Sequence, residues 1–210
     1  MEDHTPPDML TSSAEHEAAS AHAETALGRN QPLTIDLEIH GIIIDGEIVA
    51  FDEVKASPGT YALLLHVKQA VTLSIGRLGP VQLQTGHYIY VGSALGPGGV
   101  LGRVKRHLRP PSKKRAHWHI DALTPHGMIL EVWWSEGTER RECAWARILT
   151  LSGSLFTPGF GASDCRCTGH LIWLGDMRGV AQGWRALKNK TPYLQRARVD
   201  YEPNERYRTK

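Results

Sequence analysis

The chain has 210 residues, of which 41% are apolar, and this length allows one domain with extensions or at most two small domains. No stretch approaches the roughly 18–20 apolar residues of a membrane span, and the N-terminus lacks the apolar segment of a secretory signal. We therefore expect a cytoplasmic protein, and the low, odd count of 3 cysteines fits a reducing compartment better than a disulfide framework.

The net charge of +2 conceals a strong asymmetry along the chain. Residues 1–56 carry 2 Lys and Arg against 12 Asp and Glu, whereas residues 57–175 carry 13 against 6 and residues 176–210 carry 9 against 4. No carboxylate lies between Glu53 and Asp121. Such a run concentrates positive potential and predicts a polyanionic partner, with a solvated basic face as the alternative.

The N-terminal part of the chain contains two segments of different character. Residues 1–30 are rich in Ala, Ser, Glu, His and Pro and have few large apolar side chains, so we expect them to be disordered. Alternating apolar and polar residues over 33–39 predict a strand, and Asp45-Gly46 between apolar runs predicts a tight hairpin over 42–51. Residues 31–56 are therefore predicted to form an acidic β appendage.

Strand and helix patterns alternate through the rest of the chain. The strands predicted from apolar, aromatic and β-branched runs cover residues 61–67, 71–75, 81–84, 88–91, 128–134 and 170–174. The helices predicted from helical spacing of apolar residues cover 101–109, 116–123, 139–151 and 181–188, with Thr138 as N-cap of the third. We therefore predict an α+β fold: a small, mainly antiparallel sheet flanked by helices. Residues 176–210 are predicted to be a basic C-terminal extension, extended or disordered from Thr191 onward.

The most distinctive stretch is a glycine-rich turn at residues 92–99 that leads into a basic helix ended by Pro110 and Pro111. Free backbone N–H groups, the helix dipole and side-chain cations all favour an anion there, which predicts a phosphate-bearing partner. The cations that we expect to contact nucleic acid are Lys105, Arg106, Arg109, Lys113, Lys114 and Arg115.

Five side chains around this stretch could carry phosphodiester chemistry. Tyr61 and Tyr90 belong to strands predicted to be adjacent, and Arg103 and His107 lie one helical turn apart. Glu142 falls on the inward stripe of its helix, where a carboxylate must be paired or bind a metal. Taken singly, each has a structural interpretation as a core tyrosine, a surface cation or an ion-paired carboxylate.

The ordered set resembles the GIY-YIG nucleases. Gly59-Thr60-Tyr61 and Tyr90-Val91-Gly92 are similar to the two tripeptides that name that family, and Arg103-x3-His107 and Glu142 resemble its catalytic Arg and metal-binding Glu. The wider pattern YVGSALGPGG…RHLR…HWHID…EC…PGFGASDCRC…HL is similar to the Uri-type subfamily over about residues 57–175. The two tyrosines are farther apart than is usual in the family, and the hairpin predicted between them accounts for the excess.

The resemblance implies a DNA endonuclease that uses one divalent metal, Mg²⁺ or Mn²⁺, bound by Glu142. It implies that Tyr61 takes a proton from the attacking water, with a pKa lowered by nearby cations, and that Arg103 neutralises charge on the phosphate. Tyr90 and His107 are implied to orient water or to donate to the phosphate. Many members also have a late Asn, which this chain lacks between Asn30 and Asn189. Ser163, Asp164 and His170 are the residues that could fill its role.

Two other groups of residues leave alternatives open. His117 and His119 flank Trp118 in a predicted helix, so we expect at most one of them, His117 as an accessory residue, to enter the site, with Asp121 orienting it. Three cysteines at 143, 165 and 167 together with His170 could form a zinc site. However, the C-x-C spacing differs from the usual C-x₂-C, and it favours an interpretation as small buried thiols. A non-catalytic nucleic-acid-binding module and a zinc-stabilised interaction domain are the alternative functions.

Overall fold

A single antiparallel sheet of eight strands organises the protein, in a computed structural model that describes residues 39–44, 47–50, 56–155 and 157–201. The strands are β1 (Ile39–Ile44), β2 (Glu47–Ala50), β3 (Gly59–Val67), β4 (Val71–Ile75), β5 (Gly79–Leu83), β6 (Gly86–Ala94), β7 (Gly127–Glu136), β8 (Ser154–Leu155), β9 (Leu171–Gly175) and β10 (Gln195–Tyr201). The helices are α1 (Gly99–Leu108), α2 (His119–Leu123), α3 (Glu142–Thr150) and α4 (Met177–Lys188). The predictions made for residues 1–30, and for the strand before residue 39, lie outside the described residues.

The order of the large sheet is β2-β1-β10-β7-β3-β6-β9-β8, while β4 and β5 pair separately. Strand β3 pairs with β6 on one side and with β7 on the other, both antiparallel. Its near-continuous apolar sequence fits this position, because both of its faces are buried. The predicted strand at residues 61–67 is confirmed, and it lies inside the sheet.

Helices cover both faces of the sheet, so the α+β prediction is confirmed. Side chains alternate between the faces of a strand. Tyr61, Leu63 and Leu65 of β3 belong to one core, which α1, α2 and the β4–β5 hairpin cover. Ala62 and Leu64 belong to a second core, which α3 and α4 cover.

The C-terminal extension predicted over 176–210 is in part an integral piece of this unit. Helix α4 buries Val180 and Leu187 in the second core, and β10 lies between β1 and β7. Apolar residues at alternating positions of β10, Ala197 and Val199, explain its place in the sheet. The predicted boundary at residue 175 therefore does not separate two structural units, and the hairpin of β1 and β2 extends the same sheet rather than forming a separate appendage.

Two helices begin later than predicted. Helix α3 begins at Glu142 with Arg141 as its N-cap, so Thr138 does not cap it; Gly137, with φ +130°, turns the chain before this helix. Helix α2 begins at His119, because Trp118 has extended backbone angles. Within the described residues, no helix has the length and apolar character needed to cross a membrane.

Candidate active site

A cavity of about 350 Å³ brings eight of the predicted site residues together. It is lined by Tyr61, Tyr90, Gly92, Ser93, Arg103, His117, Trp118, His119, Glu142, Gly161, Ser163, Asp164 and His170. Tyr61 and Tyr90 come from paired strands of the first core, whereas Glu142 is the first residue of α3, a helix of the second core. The cavity therefore lies where parts of both layers of helices approach the sheet.

Glycine at position 92 makes room for the Tyr61 side chain. Tyr61 and Gly92 are directly opposite each other in the pairing of β3 with β6, so their substituents point to the same face. A Cβ atom at position 92 would lie 2.5 Å from both Cζ and Oη of Tyr61. Glycine is therefore required at position 92, because any larger residue would collide with the Tyr61 ring.

His107 supports Tyr61 from inside the protein. The Tyr61 hydroxyl oxygen lies 2.7 Å from Nε2 of His107, and both side chains are buried. Burial, followed by the influence of the nearby Lys114 ammonium, lowers the pKa of His107 to about 3. His107 is therefore neutral at physiological pH, and in the tautomer protonated at Nδ1 its Nε2 accepts the Tyr61 hydroxyl proton.

The expectation that nearby cations lower the pKa of Tyr61 is wrong for the protein without ligands. Burial, followed by the influence of Tyr90, raises the pKa of Tyr61 well above its usual range, and Arg103 and Arg106 only partly offset this. Burial likewise raises the pKa of Tyr90. Both tyrosines are therefore phenols rather than phenolates at neutral pH.

Arg103 reaches the cavity from the same face of α1 as His107, as their spacing predicts. Its guanidinium carbon lies 4.7 Å from the centroid of the Trp118 ring, and that of Arg106 lies 4.1 Å from it. Such cation–π contacts hold a guanidinium in place without neutralising its charge. Trp118 is a site residue that sequence reasoning missed, since only its position between two histidines marked it.

Glu142 has the surroundings of a metal ligand rather than of an ion pair. The residue is 6% exposed and lines the cavity, and its Oε2 atom is buried with no hydrogen-bond partner. The predicted inward stripe is confirmed, because Trp145, Ala146 and Leu149 are buried with it. A buried carboxylate oxygen that lacks a donor costs desolvation energy, and a hard cation such as Mg²⁺ offsets that cost. The residues present therefore fit the implied divalent ion.

The two histidines around Trp118 do not follow the helical expectation. Both His117 and His119 line the cavity, because the chain is extended at Trp118 and the helix starts only afterwards. Nδ1 of His119 accepts a hydrogen bond from the backbone N–H of Gly161, at 3.1 Å. The prediction that at most one of the two histidines enters the site is wrong.

Asp121 binds backbone and cations instead of orienting the His117 ring. Its carboxylate accepts hydrogen bonds from the backbone N–H groups of His117 and Trp118 and forms a two-bond ion pair with Arg106. Burial opposes its ionisation, but these hydrogen bonds hold the pKa of Asp121 well below its usual range. Asp121 thereby fixes the segment that carries both histidines and Trp118.

An open basic depression adjoins the cavity. It is lined by Arg106, Arg109, Lys113, Lys114, Arg115, Ala116 and His117, of which His117 also lines the cavity. Lys114 is a structural residue as well, because its side chain is 4% exposed and its Nζ lies 3.6 Å from the Asp121 carboxylate. Arg109, Lys113 and Arg115 remain as exposed cations. Lys105 lines neither the depression nor the cavity.

The loop after β8 brings its polar residues to the cavity and its cysteines to α3. Ser163, Asp164 and His170, the residues predicted to replace a late Asn, all line the cavity. The C-x-C spacing favours an interpretation as small buried thiols in the core, but the three cysteines are only partly buried and lie close together. Ligand atoms of the three cysteines at 143, 165 and 167 and of His170 lie within 4.8 Å of one another, so this cluster could hold a metal ion.

Comparison with known proteins identifies the family but no close relative. The model of the domain of unknown function DUF123 matches residues 60–191. No curated protein matches the chain, and no solved structure does. The matched segment extends from β3 through α4, so it includes the cavity, the basic depression and the cysteine cluster. The chain therefore belongs to the family of the domain of unknown function DUF123.

Proposed function

We propose that this protein is an endonuclease that hydrolyses phosphodiester bonds in DNA with one divalent metal ion. The observation that carries the proposal is the Glu142 carboxylate, buried without a partner at Oε2, in the same cavity as Tyr61 and Arg103. The resemblance of the motifs around Tyr61, Tyr90 and Arg103 to the Uri-type GIY-YIG nucleases supports the same activity. Neither line of support depends on the other.

Glu142 is the residue that would hold Mg²⁺ or Mn²⁺, with water and phosphate oxygens as further ligands. When bound, the ion supplies positive charge that stabilises the leaving oxygen. Asp164, an exposed carboxylate of the cavity wall, adds negative charge on the same side as His170.

Tyr61 and His107 together would accept the proton of the attacking water. The raised pKa of Tyr61 makes a free phenolate unfavourable, so its hydroxyl would pass its own proton to Nε2 of His107 as it takes one from water. Burial keeps this imidazole neutral in the free protein, so it would hold the proton only while substrate is bound. Negative charge of the bound phosphate favours the imidazolium that results. Tyr90, also buried with its pKa raised, serves as a hydrogen-bond donor to water or phosphate.

Arg103 would neutralise charge that develops on the scissile phosphate. It lines the cavity and its guanidinium is stacked on Trp118, which limits its freedom before the substrate arrives. The basic depression next to the cavity would hold the flanking phosphates through Arg109, Lys113 and Arg115. One strand could therefore run from the depression past His117 into the cavity.

A nucleic-acid-binding module without cleavage activity is the second candidate. The raised pKa of both cavity tyrosines favours it, because neither phenol is a base at neutral pH on its own. The binding surface is the same in both proposals, so binding does not separate them.

The discriminating experiment is cleavage of labelled single-stranded, duplex and forked DNA, and of RNA of the same sequence, with Mg²⁺ or Mn²⁺. Wild type is compared with Glu142→Gln and Arg103→Ala. The matched controls are Glu136→Gln, an exposed carboxylate at the end of β7, and Arg185→Ala, an exposed cation of α4.

We expect metal-dependent cutting that both site variants lose while retaining most of their DNA affinity, and that both controls keep. Equal affinity in all five proteins with no cutting under either metal would establish the binding module instead. Cutting of RNA alone would overturn DNA as the substrate.

A further inference from the structure

Three cysteines and one histidine, distant in sequence, converge beside the cavity. Cys143 lies in the first turn of α3, Cys165 and Cys167 lie in the loop before β9, and His170 immediately precedes that strand. His170 is 3% exposed and the three cysteines are partly buried and free of disulfides. Three soft sulfur donors and one imidazole around a single point are the donor set of a structural zinc site.

We propose that Cys143, Cys165, Cys167 and His170 bind one zinc ion in a closed tetrahedral site. Zinc–sulfur bonds near 2.3 Å and zinc–nitrogen bonds near 2.0–2.1 Å place tetrahedral ligand atoms roughly 3.5–3.8 Å apart. Nε2 of His170 lies 3.7 Å from Sγ of Cys143 and 3.6 Å from Sγ of Cys165, which matches this spacing.

Cys167 lies closer to its neighbours than a bound ion requires. Its Sγ is 2.6 Å from that of Cys165 and 2.7 Å from Nε2 of His170. A movement of about 1 Å outward along its loop completes the tetrahedron expected for zinc. The thiols release their protons to solvent when they bind, and the site then carries three thiolates and a neutral imidazole around a divalent ion.

The donor atoms of the cysteine cluster do not suit the Mg²⁺ or Mn²⁺ ion proposed for catalysis. Magnesium takes oxygen ligands and keeps several waters, whereas this cluster offers three sulfurs and a nitrogen. The Glu142 carboxylate and the cysteine cluster would therefore hold different metals, one in the cavity and one behind its wall. His170 would be a zinc ligand, which leaves Ser163 and Asp164 as the polar loop residues free to face substrate.

Zinc at this position would fasten the loop to the start of α3. Cys143 directly follows Glu142, and Asp164 directly precedes Cys165, so both carboxylates of the cavity wall are neighbours of ligands. The ion thus fixes the separation of two carboxylates that come from different elements. This consequence for catalysis rests on the proposed nuclease function, whereas zinc binding itself does not.

The test measures zinc directly in full-length protein purified with a reductant. Elemental analysis of wild type is expected to give one zinc per chain, and Cys143→Ser and Cys167→Ser are expected to lose it. Arg166→Ser, an exposed substitution between the two loop cysteines, is the matched control and keeps its zinc. Because a cysteine variant could misfold, wild type stripped of zinc and loaded with Co²⁺ provides a second readout. It should show the intense visible ligand-field bands of tetrahedral cobalt and a thiolate charge-transfer band.

Three results would overturn the proposal. They are wild type without zinc and with the weak spectrum of octahedral cobalt, a Cys167→Ser variant that keeps its full zinc content, and a Cys143→Ser variant that keeps its full zinc content. Neither readout involves cleavage, so failure of the nuclease proposal and failure of the zinc proposal remain distinguishable.

Discussion

The hydroxyl of Tyr61 and Nε2 of His107 form a buried hydrogen bond of 2.7 Å between the central strand and α1. The two residues are 46 positions apart, so this bond connects the strand that begins the family segment to the helix that carries Arg103. We expect this hydrogen bond to contribute both to the stability of the fold and to the proposed proton transfer, and each contribution can be measured.

Tyr61→Phe and His107→Phe should each destabilise the protein by about 1–3 kcal/mol, because each leaves the other group buried without its partner. The double variant should cost clearly less than the sum of the two. Urea unfolding of the four proteins measures this coupling as a double-mutant cycle. Additive losses would mean that the bond contributes nothing specific to stability.

Stability below pH 6.5 should depend on His107. Its pKa is lowered by burial to about 3 in the folded protein, against about 6.5 when unfolded, so between these values the unfolded state binds the extra proton. Stability due to His107 is therefore fully present above about pH 6.5 and is lost as pH falls, with a slope of up to about 1.4 kcal/mol per pH unit.

Urea unfolding of wild type and His107→Gln between pH 7 and pH 4 checks this slope. The variant should be less pH-dependent, since the other histidines and the carboxylates titrate in both proteins. Identical slopes would contradict a neutral, buried imidazole at this position.

Gly92→Ala should abolish DNA cleavage, while its effect on the stability of the fold should be smaller. The added methyl group would lie 2.5 Å from the Tyr61 hydroxyl oxygen, so the ring must move out of its hydrogen bond with His107. Cleavage and thermal unfolding are measured together, with Gly102→Ala as the matched control.

Gly102 lies in α1 and its nearest atom to an added Cβ is 3.9 Å away. That variant should stabilise the helix by roughly 0.5–1 kcal/mol and remain active. Full activity of Gly92→Ala would show that the position of the Tyr61 ring is not critical.

The salt dependence of DNA binding should show that the basic depression contacts phosphate groups. Replacing Arg109, Lys113 and Arg115 by Ala should reduce the slope of log K against log salt by up to about one unit per residue. Replacing three exposed cations on or just after α4, Arg178, Arg185 and Lys190, should leave the slope nearly unchanged. Equal effects of the two triple variants would indicate binding through net charge rather than through this surface.

Local patterns predicted the elements and the cavity residues that those elements carry. The apolar run of β3, the helical repeat of α1 and the inward stripe through Glu142 each depend on spacing within a few residues, so sequence alone located them. The i, i+4 relation of Arg103 and His107 is of the same kind.

Features set by tertiary packing were missed for a common physical reason. Cys143 meets Cys165 and Cys167 only because the loop before β9 folds onto the start of α3. The place of β10 depends on strand pairing across much of the chain, which no local pattern encodes. Trp118 was not predicted as a site residue, because the helix was predicted to begin a few residues too early.

The position of β10 between β1 and β7 has a consequence for synthesis of the protein. In the described sheet, the earliest strands, β1 and β2, join the remaining strands only through β10, which is the last described strand to be made. During translation the first hairpin therefore has no edge to dock on until residues 195–201 have left the ribosome. The central strands with their helices can assemble before that moment, whereas the pairing of β1 with β10 can form only after β10 has been made.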